Sequence, residues 1–301
     1  MAPDPSLELP AALAATWAAV VGACVGSFLN VVIARVPAGL SIVRPGSRCP
    51  RCQKAIRWYD NVPVLAWLWL RARCRDCGAP ISARYPAVEL LGLLAGLGAW
   101  ARHGLTLAAL AEFVLVMLLL ALSAIDLDTW SLPHELTVPL LGLGLLAGAA
   151  GLPPVPPLAR ELVPAWLPGW VPATAVSAAL GAAVGAGLFW LVRVVGGRLA
   201  RKEALGLGDV VLLGAIGAWL GLAGLLPVIL LASTQGAVAG ILLLALGRGQ
   251  TGEGEPQGDD GWVPPRNSVP FGPFLALAAL EWLYLAPWLA RHVALFEVFG
   301  G

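Results

Sequence analysis

The stretch Gly206-Leu-Gly-Asp209, followed by the apolar run Val210–Gly221, does most to decide the fold of this chain. It places a carboxylate where a helix in hydrocarbon begins, and glycines where another backbone can come close. A second acid, Asp126, ends another apolar run, Phe113–Ile125. Because the membrane penalises such acids, a pair of them predicts acid–base chemistry at the membrane surface.

The composition indicates a polytopic membrane protein. Hydrophobic residues make up 58% and charged residues 12% of the 301, and the mean hydropathy is +0.80. A soluble domain carries about 25% charged residues. The N-terminus has no basic region and no convincing cleavage site, so we expect the first apolar run to be a retained span.

Eight apolar runs approach the length of about 20 residues that a transmembrane helix needs. The sequence therefore predicts an all-α membrane protein with about eight transmembrane helices. The sixth and seventh runs nearly fuse through Pro227, so their boundary is the least defined. The runs are 10–34, 87–102, 107–125, 136–152, 173–195, 209–224, 225–247 and 271–290.

The distribution of positive charge predicts the orientation. With eight spans, most of the 19 Lys and Arg residues fall on one side, in segments 35–85, 193–208 and 248–270. The positive-inside rule makes this side cytoplasmic. Asp126 and Asp209 then both lie at the cytoplasmic boundary. The residues on the opposite side are Arg102, Arg160 and Arg291.

The connecting segments and the glycine spacing add two expectations. The proline-rich stretch 151–172 predicts an irregular outer loop, and the glycine- and acid-rich stretch 247–261 predicts a flexible inner loop. Gly-x-x-x-Gly pairs permit close helix contact, although several are expected by chance in so glycine-rich a chain. These pairs are Gly92/Gly96, Gly144/Gly148, Gly181/Gly185, Gly217/Gly221 and Gly236/Gly240.

Segment 35–85 predicts a small metal-binding module between the first and second spans. Its pairs Cys49-Pro-Arg-Cys52 and Cys74-Arg-Asp-Cys77 have a spacing close to that of a four-thiolate zinc site. Disulfides are disfavoured in a reducing cytosol, and an iron–sulfur or redox role is the remaining alternative. Four protein ligands leave no open position, which indicates a structural metal. The fifth cysteine, Cys24, is expected to be a small packing residue.

An acid within or at the end of a span is a functional-site hypothesis by default. Asp126 and Asp128 point about 200° apart on a helix, so only one of them can face Asp209, and periodicity does not choose. Two close carboxylates can share one proton, as in aspartic proteases, where one activates water and the other polarises a carbonyl. A structural ion pair and a proton relay are the alternatives. The other candidates are Glu89, Glu112, expected to snorkel to the outer interface, and Glu281, expected to pair within the bundle.

Several sequence motifs occur in order over about residues 20–290. They are Gly26-Ser-Phe-Leu-Asn30 to Pro37, the two cysteine pairs, Trp58-Tyr-Asp-Asn-Val-Pro63, Ile81-Ser-Ala-Arg-Tyr-Pro-Ala-Val-Glu89, Asp126-Leu-Asp-Thr-Trp-Ser-Leu-Pro133, Gly206-Leu-Gly-Asp209 and Pro270-Phe-Gly-Pro273. Together they resemble the type IV prepilin leader peptidase family. The resemblance covers the first span, the cysteine module, both aspartate motifs and the start of the last span.

The resemblance implies an aspartyl protease of the bacterial inner membrane that cuts the basic leader from prepilins and pseudopilins at the cytoplasmic face. It assigns Asp126 and Asp209 as the catalytic pair and Cys49, Cys52, Cys74 and Cys77 to structural Zn²⁺. Members with the cysteine module also methylate the new N-terminus with S-adenosylmethionine, and no residues are assigned to that donor. The implied organisation is a first helix at 10–34, the zinc module at 35–85 and a seven-helix protease core at 86–290.

Two departures and two alternative functions accompany this interpretation. His134 stands where the family often has Asp, and Val211 stands where it often has Lys. Neither belongs to the catalytic pair, so we expect these departures to affect substrate preference and to leave cleavage intact. One alternative is a peptidase without methyltransferase activity, in which the module is a scaffold. The other is a proton- or metal-coupled transporter. The expected partners are prepilin and pseudopilin substrates and the lipid bilayer, with no nucleic acid.

Overall fold

A computed structural model describes residues 10–156, 163, 168–200, 205–246, 269–293 and 296. Apart from two isolated bridges, the described residues form helices and irregular connections, which confirms the all-α prediction. Trp58–Asn61 forms a 3-10 turn. The α-helices are α1 (Ala11–Arg35), α2 (Leu65–Trp69), α3 (Arg84–His103), α4 (Leu107–Thr129), α5 (His134–Ala149), α6 (Ala173–Ala200), α7 (Leu207–Ala245) and α8 (Gly272–His292).

Among the described residues, five helices are long and apolar enough to cross a membrane, namely α1, α4, α6, α7 and α8. Helix α5 is apolar but has only 16 residues, and α3 lies outside this set. Each of the eight predicted spans corresponds to a helix, and the sixth and seventh share α7. The predicted loop at 247–261 lies outside the described residues, as does most of 157–167 within the predicted loop at 151–172.

The chain divides into two compact units, residues 1–117 and 118–301, and the boundary falls within α4. In the first unit α1 packs closely on α3, because glycines on both helices leave room for the opposite backbone. A Cβ added at Gly26 would lie 2.9 Å from Glu89 Cα, and one added at Gly92 would lie 3.0 Å from Gly26 Cα. The small residues thus serve the close backbone approach expected of Gly-x-x-x-Gly sequences.

In the second unit the first half of α7 is the core. Trp219 is 1% exposed, and its indole Nε1–H donates a 2.8 Å hydrogen bond to the carbonyl of Leu140 on α5. Helix α6 packs against α7 so closely that a Cβ at Gly181 would overlap the Gly217 carbonyl. Of the predicted glycine contacts, Gly240 makes none, because a Cβ there would meet open space.

The break between the sixth and seventh predicted runs, expected between residues 224 and 225, lies at Gly221. Helix α7 consists of two helical segments joined at a kink, where Gly221 has φ 67° and ψ −178°, a conformation outside the helical region. Such a positive φ favours glycine because a Cβ makes it strained. Pro227 lies inside the continuing helix, since prolines are tolerated in membrane helices where neighbours satisfy the freed carbonyl.

Substitution of Gly221 by Ala is expected to destabilise the protein by about 1–3 kcal/mol, because the new Cβ strains the backbone. The Cβ would also meet the Ser177 hydroxyl at 2.5 Å and Pro156 Cγ at 2.9 Å. Gly240→Ala in the same helix is the matched control and should leave stability unchanged or raise it. Thermal unfolding of both variants in detergent measures the difference, and equal midpoints would contradict the assignment of the break.

Candidate active site and metal site

Asp126 lies in the last turn of α4, on its buried side. Its side chain is 5% exposed, whereas Asp128, two residues further on, is exposed. The helix ends at Trp130, which has φ 54° and donates its backbone N–H to the Asp126 carbonyl at 2.9 Å. Residues in this left-handed conformation commonly terminate helices. Helix geometry therefore buries one acid of the pair and exposes the other, which periodicity alone could not decide.

Asp209 lies in the first turn of α7, where backbone N–H groups lack helical partners. Gly206 is the N-cap residue, with extended backbone at φ −69° and ψ 151°. The Asp209 carboxylate turns back and accepts a hydrogen bond from the Gly206 N–H. This is the acidic half of a capping box, and the partial positive charge at a helix start stabilises a carboxylate there. The Gly206-Leu-Gly-Asp209 sequence thus fixes the position of Asp209 through its own backbone.

The start of α8 completes the site. The backbone N–H of Gly272 donates a buried 3.0 Å hydrogen bond to Asp126 Oδ2. A Cβ on Gly272 would lie 2.6 Å from that oxygen and 3.3 Å from Leu132 Cδ2, so only glycine fits. Gly208 is confined in the same way, because a Cβ there would lie 2.6 Å from Leu132 Cβ.

One residue, Leu132, packs beside the backbone next to both acids. Leu132 contacts Gly272, which holds Asp126, and it also contacts Gly208, the neighbour of Asp209. Asp209 lies close enough for its negative charge to disfavour a second charge on Asp126. Sequence reasoning missed the role of Gly272, although the motif Pro270-Phe-Gly-Pro273 contains it. A buried, backbone-held aspartate beside a second aspartate is an arrangement that can share one proton and activate a water molecule.

The other membrane acids have different partners. Glu112 does not snorkel as expected, because it is fully buried and pairs with Arg102 at 3.0 Å and His103 at 2.7 Å. The turn between α3 and α4 brings these two side chains to Glu112, and a buried carboxylate is best satisfied by such pairing. Glu281 pairs within the bundle as expected, accepting a 2.5 Å hydrogen bond from Gln235 Nε2.

The four cysteines of the first unit form one cluster. Their Sγ atoms all lie within 4.8 Å of one another, and those of Cys49 and Cys77 are 3.8 Å apart. A tetrahedral zinc ion with Zn–S bonds of about 2.3 Å separates its sulfurs by about 3.8 Å. The cluster therefore fits a metal ion of this kind, as the sequence predicted.

Two similar turns build the cluster. In one, Cys49 exchanges backbone hydrogen bonds with Lys54 and Gln53; in the other, Cys74 does so with Ala79 and Gly78. The residue after the second cysteine of each turn has positive φ, 58° at Gln53 and 69° at Gly78. The turns aim both sulfurs of each pair at one point, which is the geometry that a metal ion requires.

Backbone hydrogen bonds favour the ionised form of one of the four thiols, Cys49, and an ion pair lies close to the cluster. Hydrogen bonds from the backbone of Cys52 and Arg51 lower the pKa of the Cys49 thiol to about 6. Nearby, Arg75 donates a bidentate pair of hydrogen bonds to Asp60, with the shortest contact at 2.6 Å, and this lowers the pKa of Asp60. Bidentate Arg–carboxylate pairs are among the stronger charged contacts, so this pair stiffens the module.

Comparison with known proteins agrees with this architecture. The bacterial peptidase A24 N-terminal domain matches residues 20–103, and the type IV leader peptidase family matches residues 113–241. The chain belongs to the type IV leader peptidase family. This is a family of aspartic proteases, and the division between the two matched segments falls near the boundary between the two compact units.

Individual relatives match over nearly their whole length. A prepilin leader peptidase/N-methyltransferase of Myxococcus xanthus is 44% identical, over 93% of this chain and 92% of its own. One from Stutzerimonas stutzeri is 37% identical, over 88% of this chain and 89% of its own. A type 4 prepilin-like proteins leader peptide-processing enzyme of Escherichia coli is 37% identical, over 92% and 96%. No solved structure gives a significant match.

The substitution Gly78→Ala tests the turn geometry of the cysteine cluster. A Cβ at Gly78 meets open space, so its cost of about 1–2 kcal/mol comes from the positive φ alone. Metal binding should weaken correspondingly, by about five- to thirtyfold, measured by competition with a chelator. Gly46→Ala, also in open space but without a positive φ, should bind metal as the wild type does. Equal affinities for both variants would rule out this turn geometry.

Proposed function

We propose that this protein is a prepilin peptidase whose catalytic pair is Asp126 and Asp209, and that it also N-methylates the new N-terminus. The buried Asp126 carboxylate, held by the Gly272 N–H beside Asp209, is the observation that carries the peptidase assignment. Membership of an aspartic protease family and the names of its relatives support it. Family membership likewise favours the peptidase over the transporter that the sequence left open.

In the proposed reaction the two carboxylates share one proton, because two adjacent negative charges are costly in a poorly solvated site. The ionised carboxylate takes a proton from a water molecule, which attacks the carbonyl carbon of the scissile peptide bond. The protonated carboxylate donates a hydrogen bond to the carbonyl oxygen. When the tetrahedral intermediate collapses, the C–N bond breaks and the leaving amine takes the proton that the carboxylate removed from water. Gly272 keeps Asp126 in position throughout.

We infer that the site faces the cytoplasm. Helix α6 ends at Ala200, and α7 begins at Leu207. Arg193 near the end of α6 donates a 2.7 Å hydrogen bond to the Leu205 carbonyl, directly before the aspartate motif. The positive-inside rule, applied to Arg193 and Arg198, assigns this end of the unit to the cytoplasmic side. A prepilin helix in the bilayer would then present its leader junction where Asp126 and Asp209 lie.

We also propose that residues 35–85 are a zinc-binding module and that residues 86–290 form the membrane-embedded protease core. The spacing of the four sulfurs supports Zn²⁺, and the absence of an open ligand position among four cysteines supports a structural role. The methyl donor would be S-adenosylmethionine, as the names of the N-methyltransferase relatives suggest.

Mass spectrometry of a prepilin incubated with the purified protein tests the peptidase. The wild type should remove the leader, and added S-adenosylmethionine should increase the mass of the product by about 14 Da. Asp126→Asn or Asp209→Asn should each reduce cleavage by about three orders of magnitude or more, because neither variant can share a proton between two acids. Asp128→Asn, at an exposed position on the same turn, is the control and should keep most of the activity.

If Asp128→Asn alone were inactive, the assignment of the catalytic acid on α4 would be wrong. Retained cleavage in either Asp126→Asn or Asp209→Asn would refute the two-aspartate mechanism. The correct folding of each variant can be checked through its thermal unfolding in detergent, which amide substitutions at these positions should leave largely intact.

Metal analysis of the purified protein tests the zinc module. The wild type should contain about one zinc ion per chain, and Cys52→Ser or Cys74→Ser should lower this content, because a hydroxyl is a poor substitute for a thiolate ligand. Cys24→Ser, in α1 and outside the cluster, is the control and should retain full occupancy. Full zinc content in both ligand variants would exclude the four-thiolate site.

A further inference from the structure

The first unit contains a cavity of about 640 Å³ between the ends of α1 and α3 and the two cysteine turns. Its volume lies within the range of about 300–1,000 Å³ found for small-molecule sites. Cys49 and Cys74 line it, but neither Asp126 nor Asp209 does. The peptidase mechanism therefore gives this cavity no role.

The cavity has an apolar and aromatic side. Val31 and Ala34 of α1 contribute aliphatic surface, and Trp67 and Tyr85 contribute aromatic rings. The indole Nε1–H of Trp67 donates a 3.0 Å hydrogen bond to the Ile81 carbonyl, which fixes the orientation of that ring. A fixed indole ring beside a second aromatic ring and aliphatic side chains is suited to the flat face of a nucleobase.

A buried carboxylate lies in the same wall. Glu89 lines the cavity and is 9% exposed, and its Oε2 accepts the backbone N–H of Val64 at 2.6 Å. Val64 has φ 60° and ψ −51° at the centre of a γ-turn, closed by a 2.6 Å hydrogen bond from Leu65 N–H to the Pro63 carbonyl. This positive-φ turn is rare and strained, and strain of this kind concentrates at functional sites.

Glu89 differs from the other acids of the cavity in having no cationic partner. Asp60 is paired with Arg75, and Asp76 is paired with Lys54 at 3.2 Å. Within the described part of the chain no Lys, Arg or His forms an ion pair with Glu89. A buried negative charge without a cation is costly, so it favours the entry of a cationic ligand.

The rim supplies the opposite charge. Arg48 and Arg51 line the cavity with exposed side chains beside the first cysteine turn, and no ion pair involves them in the described residues. Guanidinium groups of this kind recognise carboxylates through paired N–H donors. The cavity thus offers a carboxylate for a cation, arginines for an anion and aromatic rings for a base.

We propose that this cavity binds S-adenosylmethionine, with Glu89 as the counter-ion of its sulfonium, Arg48 and Arg51 at its carboxylate, and Trp67 and Tyr85 at its adenine. The inference rests on the proposed function, since only methyl transfer requires this donor. A sulfonium has no N–H to donate, so it is recognised by negative charge and by aromatic faces.

The transfer needs no reactant besides the donor and the cleaved pilin. The α-ammonium of the new N-terminus first loses a proton to water, which is feasible near neutral pH because an α-amino group has a pKa of about 7.7–8.0. The neutral nitrogen attacks the methyl carbon of the sulfonium. The N–C bond forms as the S–C bond breaks, its electrons return to sulfur, and S-adenosylhomocysteine leaves as a neutral thioether. Glu89 holds the sulfonium in place and does not take up the proton.

A basic leader peptide is a poorer occupant of the same cavity. The lining contains more cations than carboxylates, and two of its three acids are already paired with cations of the lining. A peptide rich in Lys and Arg would add like charge to this surface, which opposes binding. The zwitterionic amino-acid part of the methyl donor has groups of both signs and matches the lining.

Equilibrium binding to the purified full-length protein in detergent tests the assignment, with S-adenosylmethionine and S-adenosylhomocysteine as the two probes. Only the first carries the sulfonium charge. Glu89→Gln retains an acceptor for the Val64 N–H but removes the negative charge, so it should weaken S-adenosylmethionine binding about tenfold or more. S-adenosylhomocysteine binding should change by less than about threefold.

The arginines provide a second comparison. Arg51→Ala should weaken both probes, because both retain the carboxylate. Arg73→Ala, exposed in the same module but outside the cavity lining, should weaken neither. Unchanged zinc content and leader cleavage show that each variant is folded.

The proposal is overturned if Glu89→Gln weakens the binding of both probes equally. Glu89 would then affect binding only through its hydrogen bond to the Val64 turn, and not through its charge. It is also overturned if neither Glu89→Gln nor Arg51→Ala changes binding. A wild type that cleaves prepilin but binds no S-adenosylmethionine refutes this site and leaves the peptidase standing. A wild type that shows the expected binding pattern but cleaves no prepilin refutes the peptidase and leaves this site standing.

Discussion

The hydrogen bond from the Gly272 N–H to the Asp126 carboxylate is the contact on which the candidate active site depends. It joins residues 146 positions apart and ties the end of α4 to the start of α8. The contact is possible only because residue 272 has no side chain, since a Cβ would lie 2.6 Å from the carboxylate oxygen. Residue 208 must also lack a side chain, because a Cβ there would lie 2.6 Å from Leu132 Cβ. Gly272 therefore lets the start of α8 reach the buried acid, and Gly208 lets the start of α7 pack against Leu132, which also lies beside Gly272.

The tight packing of α6 on α7 helps to position the second aspartate of the site, Asp209, from a greater distance. Because glycines such as Gly181 and Gly217 face each other, the first half of α7 lies deep within the unit, with Trp219 nearly inaccessible. Because this packing fixes the first half of α7, it also fixes the first turn of the helix, which contains Asp209. The break at Gly221 ends this buried segment. The part of α7 after Gly221 is more exposed than the part before it.

The sequence predicted the helices well because a span is a matter of apolar length, which can be counted directly. It also predicted the four-cysteine cluster, since metal ligands have recognisable types and spacings. It could not choose between Asp126 and Asp128 without the resemblance, because the choice depends on which face of α4 is buried. It expected Glu112 to snorkel, since nothing in the sequence shows that the turn after α3 brings Arg102 and His103 to it. Gly272 and Val64 were missed because they act through backbone N–H groups, which every residue type except proline has.

The acids of this chain divide by the kind of donor that holds them. Asp60, Asp76 and Glu112 pair with cationic side chains, which commits them to structural roles. Asp126, Asp209 and Glu89 are held by backbone N–H groups of Gly272, Gly206 and Val64. A backbone N–H fixes the position of a carboxylate but adds no full positive charge, so the carboxylate stays able to share a proton or to attract a cation. Each proposed site therefore uses acids of the second kind, and the cation-paired acids form the framework around them.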